Sequence, residues 1–78
     1  MTDPIITADM IRATLERQAR QHGETFAGLS RMLRRGDRYL QRFVREGTPR
    51  SLEPEEARTL ARYFRIDPML LGAPRRQR

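Results

Sequence analysis

Cysteine and lysine are absent from the 78 residues, and histidine occurs once, at position 22. Without cysteine there is no disulfide framework, no thiolate zinc site and no thiol nucleophile. His22 stands beside Gly23 at the end of a helical segment with no partner set for a metal or a catalytic triad, and reads as a capping or surface residue. Ser30 and Ser51 have no lysine or placed histidine to act as a base. Glu55 and Glu56 are adjacent, so they splay apart on a helix, a poor geometry for paired acid–base work. These absences argue against an enzyme, and no metal, cofactor or small-molecule substrate is expected.

Long apolar runs are also missing. None approaches the ~20 residues of a membrane span, and the segment MTDPIITADM has two aspartates and no basic flank, unlike a secretion signal. A soluble cytoplasmic protein is expected. The length suits one domain with a single modest core, whose stability dimerisation or a ligand would supplement.

All sixteen basic residues are arginine, against ten acids, for a net charge of +6. Exclusive arginine has two readings: the planar fork that grips phosphate and the guanine edge, or the base composition of the source genome. The charge is concentrated. Residues 31–50 hold seven arginines (Arg31, Arg34, Arg35, Arg38, Arg42, Arg45 and Arg50) against Asp37 and Glu46. A polyanionic partner is the first expectation.

The apolar spacing predicts helices throughout and no strand. Thr7 caps a first helix with Ile11, Leu15 and Ala19 on one face, closed by Gly23. Thr25 caps a second, with Phe26, Leu29, Met32 and Leu33 facing inward. Gly36 is expected to take the positive φ of a tight turn. A third helix from Asp37 to Glu46 carries Leu40, Phe43 and Val44, and Gly47 ends it. The loop from Gly47 to Ser51 leads to Pro54 at the first position of a fourth helix, with Glu55 and Glu56 favouring its dipole and Ala57, Leu60, Ala61 and Phe64 inside. Asp67–Pro68 opens a short fifth helix with Met69, Leu70 and Leu71, ended by Gly72. The expected fold is a compact all-α five-helix domain over residues 1–72, followed by a basic flexible tail over 73–78.

At ~100° per residue the third helix places Arg38, Arg42 and Arg45 together, opposite Leu40, Phe43 and Val44, with Gln41 and Tyr39 flanking the basic arc. A solvated helix face usually mixes signs, whereas the centre of this one has no acid. An α-helix so decorated has the size and chemistry to enter a major groove. Exposed stacking aromatics of the kind that serve single-stranded RNA are not apparent.

At Leu29-Ser30-Arg31-Met32-Leu33, followed by Gly36, Leu40 and Gly47, the chain resembles the phage-repressor-like (lambda-repressor-like, xenobiotic-response-element type) helix-turn-helix domains. The resemblance continues through Thr48-Pro49-Arg50-Ser51-Leu52, then Ala57, Leu60, Ala61, Phe64, Ile66, Asp67 and Leu70, covering roughly residues 10 to 72. Phe26-Ala27-Gly28-Leu29 and Tyr39-Leu40-Gln41-Arg42-Phe43 look most like a bacterial subgroup that often carries a self-cleaving serine–lysine peptidase domain. A stand-alone regulator and a fragment of a longer repressor both fit.

The resemblance implies sequence-specific binding of double-stranded DNA in the bacterial nucleoid, as a transcriptional regulator and more often a repressor, by a homodimer at least on DNA. It places Asp37, Arg38, Gln41 and Arg42 nearest the bases. Asp37 either accepts a cytosine amino proton or caps the third helix. Arg31, Arg34, Arg35, Tyr39, Arg45, Thr48 and Arg50 are cast as backbone contacts. Phe26 stands where the family commonly has a phosphate-gripping glutamine. The other reading is a helical interaction module, antitoxin-like, docking an acidic protein through its basic face.

Overall fold

The computed structural model describes residues 6–74, and these form an all-helical body with no strand among them. Helices α1 (Ala8–Gln21), α2 (Phe26–Met32), α3 (Tyr39–Glu46) and α4 (Pro54–Phe64) are followed by a single 3₁₀ turn, Pro68–Leu71. That turn replaces the expected fifth helix. Pro68 opens it and Gly72, at φ 95°, closes it four residues later, leaving no length for an α-helix.

Side chains near in sequence start three of these elements. The Thr7 hydroxyl accepts from the Met10 N–H at 3.1 Å, Thr25 from Gly28 at 3.0 Å, and the Asp67 carboxylate from Met69 at 2.9 Å. Each satisfies one of the N–H groups that a helix start leaves without a partner. Pro54 occupies the first turn of α4, with Glu55 and Glu56 behind it at the favourable dipole end.

Four of the five elements close alike. A residue in the left-handed region donates its N–H three residues back, and its successor donates five back: Gly23 and Glu24 after α1, Arg34 and Arg35 after α2, Arg65 and Ile66 after α4, Gly72 and Ala73 after the 3₁₀ turn. Arginine stands at two of these left-handed positions, with φ 61° at both Arg34 and Arg65. The turn between α2 and α3 is therefore made by Arg34. Gly36, expected to supply its positive φ, does not adopt one.

α3 packs against α2 and α1, while the 3₁₀ turn packs against α4 and α1. Between them lie the predicted stripes: Ile11, Leu15 and Ala19, then Leu29, Leu40 and Phe43, and Ala57, Leu60, Ala61 and Phe64, joined by Leu52 and Leu71. Met32 and Leu70 fall on the apolar rhythm but stay exposed. Ala73, assigned to the tail, is buried because its N–H closes the 3₁₀ turn onto Pro68, so the folded body extends past Gly72. Residues 75–78 of that expected tail lie outside the described residues. The Thr48–Pro49 peptide bond in the α3–α4 connection is cis.

Candidate nucleic-acid interface

α3 is pinned from below by Leu40 and Phe43, both almost fully buried, with Val44 packed beside them. Anchoring that face leaves Arg38, Gln41, Arg42 and Arg45 exposed on the other. These four, with Glu46, line one open surface groove, so three guanidinium groups share it with a single carboxylate. Arg42 also borders a second groove, with Arg35, Tyr39, Thr48, Pro49, Ser51 and Glu53. Arg42 thus joins the helix face to the loop after it.

The start of α3 is held by α2. The helix begins at Tyr39, two residues later than the spacing predicts, and Arg38 at its cap position makes no side-chain bond to it. The fully buried Ser30 supplies the missing acceptor: its hydroxyl donates to the Phe26 carbonyl at 2.7 Å and accepts from the Leu40 N–H at 3.0 Å. Asp37, which the cap reading would have bonded to the first turn of α3, lies one residue outside the cap position and faces Arg31 at 3.3 Å. Both side chains there are more than 60% exposed, so the pair contributes little to stability.

The remaining predicted residues divide. Arg34 faces a different depression, with Met32, Leu33, Glu55, Glu56 and Thr59. Arg50 and Thr48 are exposed on the α3–α4 connection. None of Arg34, Arg38, Arg45 and Arg50 makes an ion pair among the described residues. Arg42 makes only a loose one, 3.7 Å from Glu46 one turn along.

Arg35 and Tyr39 are engaged by acidic side chains at the start of α4. Arg35 Nε donates to Glu56 at 2.5 Å and a terminal nitrogen to Glu53 at 2.8 Å. Its guanidinium lies 4.6 Å from the centre of the Tyr39 ring, and the Tyr39 hydroxyl donates to the other oxygen of Glu56 at 2.6 Å. Burial, and then the bond to Glu56, push the Tyr39 phenol up to about 12. Burial would raise the Glu56 carboxyl, but the bonds from Arg35 and Tyr39 together outweigh it and hold it below the usual range. The Glu56 bond raises Arg35. Glu53 and Glu56 carry no mark in the sequence pattern that sets them apart from solvated helix-start acids, and their role follows from the fold.

Among the described residues no cluster of three or more histidine, cysteine, aspartate or glutamate side chains is arranged to hold a metal, and no helix is long and apolar enough to cross a membrane. The molecule is a small all-helical domain with one strongly basic helix face. No protein-family model, curated protein or solved structure gives a significant match to the chain.

Proposed function

We propose that this chain binds double-stranded DNA sequence-specifically, with α2, the turn at Arg34 and α3 serving as a helix-turn-helix, and that it acts as a transcriptional regulator, a repressor in preference to an activator. The observation that carries the reading is the exposed face of α3, where Arg38, Gln41, Arg42 and Arg45 stand together opposite the buried Leu40 and Phe43. Laid in a major groove, Arg38 and Arg42 take guanine edges and Gln41 an adenine edge; a bidentate arginine–guanine pair contributes ~1–3 kcal/mol of discrimination. Asp37, with its carboxylate exposed at the same end, accepts from cytosine. Arg31, Arg45, Thr48 and Arg50 serve as backbone contacts, which fix register without reading sequence. The resemblance to phage-repressor-like domains supports the same assignment.

On this reading two copies bind half-sites about 34 Å apart, one turn of the duplex. Selection of bound sites from a random duplex pool tests it. The expected product is a guanine-containing half-site, repeated with twofold symmetry at a fixed spacing. A pool that remains random after selection contradicts sequence-specific reading, and recovery of a stoichiometric acidic protein with no retention of DNA supports the protein-docking alternative.

A further inference from the structure

Arg35 lies in the most basic stretch of the chain, beside the α3 groove, yet two of its donors are bonded to Glu53 and Glu56 at the start of α4. We propose that Arg35 is a positioning residue: with Tyr39 and Glu56 it clamps the start of α3 to the start of α4, and so sets the pose in which Arg38, Gln41 and Arg42 meet DNA. This inference rests on the DNA-binding reading and divides the arginines of that surface into those that touch the ligand and one that places them.

Three observations carry it. Glu56 is the most buried carboxylate in any ion pair of the described residues, its side chain 12% exposed. Both of its oxygens are used, one by Arg35 Nε and one by the Tyr39 hydroxyl. The guanidinium is held from three sides, by Glu56, by Glu53 and by the Tyr39 ring. Tyr39 is the first residue of α3 and Glu56 lies in the first turn of α4, so the contacts bridge residues 17 to 21 apart in sequence. Among elements that pack extensively on α3, α2 and α1 are prominent and α4 is not. The polar clamp adds hydrogen bonds at this end to the apolar core that the two helices share. Two carboxylates balance the charge of the Arg35 fork, whereas the unpaired Arg38 and Arg45 keep their whole charge and all their donors for a phosphate.

The clamp predicts an effect opposite in sign to simple electrostatics. Removing the negative charge of Glu56 beside a polyanion should tighten binding if Arg35 is a phosphate contact. If Arg35 positions α3, Glu56→Gln weakens binding to the selected site, about fivefold to tenfold on the scale of interacting neighbours, and leaves binding to random duplex unchanged.

The test measures affinity for selected and random duplex against salt for the wild type, Arg35→Ala, Glu56→Gln, the double variant, and Arg45→Ala as the phosphate-contact reference. The milder Tyr39→Phe, which removes only the hydroxyl bond, is included in case a larger change unfolds the domain. Amide exchange of α3 in the DNA-free protein is read in parallel. The clamp predicts that Arg35→Ala and Glu56→Gln each lose discrimination, that the double variant loses no more than either, and that the salt slope stays at the wild-type value. The slope should fall by about one only for Arg45→Ala. Exchange at the first turn of α3 should quicken in Tyr39→Phe and Glu56→Gln. A slope lowered by Arg35→Ala, or tighter binding by Glu56→Gln, overturns the clamp, as does unchanged exchange in α3. Quickened exchange together with a wild type that binds no DNA leaves the tie between the helices in place and refutes the DNA-binding reading.

Discussion

A Cβ built on Gly36 would meet nothing within 4 Å, and the residue has no left-handed torsion. Its glycine thus adds conformational entropy to the unfolded chain with no matching need in the fold, and Gly36→Ala should stabilise the protein by about 0.4–1 kcal/mol. Thermal unfolding checks this, and a lower midpoint would show that Gly36 is required. The complementary case is Arg65, held at φ 61° in the closure of α4 with no ion pair among the described residues. A left-handed torsion costs a non-glycine residue about 1–2 kcal/mol, partly offset by the extra freedom of glycine in the unfolded chain. Arg65→Gly should raise stability by about 1 kcal/mol, a shift of about 4–8 °C for a domain of this size. These two sites explain what was legible at this scale. Thr7, Thr25 and Asp67 cap from three or fewer residues away, so the sequence announces them. Arg34 and Arg65 take torsions that local preference assigns to glycine, because helix packing outweighs a preference of that size.

At the scale of the element, α3 depends on two neighbours. Ser30 on α2 satisfies the Leu40 N–H in a fully buried setting, so Ser30→Ala should cost about 1–3 kcal/mol by stranding that donor. Denaturant unfolding measures the loss, and an unchanged midpoint would mean that another group takes the bond. On the α4 side the clamp makes stability depend on pH at both ends. Glu56 titrates below its unfolded value, so its contribution is present above the usual carboxylate range and is lost as pH falls through the depressed value. Tyr39 titrates up to about 12, so its contribution is complete below pH ~10 and is lost as pH rises toward 12. Glu56→Gln should therefore flatten the acid limb of the stability curve, and Tyr39→Phe the alkaline one. An unaltered acid limb in Glu56→Gln would contradict the clamp geometry. The apolar rhythm made the helices and most of the core readable in advance. What joins α3 to its neighbours was not readable: Ser30 meets Leu40 across ten residues and Arg35 meets Glu53 and Glu56 across about twenty, contacts that no local spacing encodes.

For the whole molecule, the basic charge predicted from residues 31–50 becomes a surface of unequal parts. Arg38, Gln41, Arg42 and Arg45 converge on one groove, Arg34 faces elsewhere, and Arg31 and Arg35 have carboxylate partners. Charge density was visible in the sequence, and its division was not, because pairing depends on the fold. Duplex binding through this face should be strongly salt-sensitive, since each phosphate neutralised adds about 0.9 to the slope of log affinity against log salt. The most direct measurement is that slope, together with discrimination between a selected site and random duplex, for the wild type and for Arg38→Ala combined with Arg42→Ala. We predict tight, salt-sensitive binding by the wild type, and loss of the preference for the selected site in the double variant while weak binding to any duplex persists. No binding by the wild type at low salt, or the same preference in the double variant, would contradict the assignment of α3 as the helix that reads DNA.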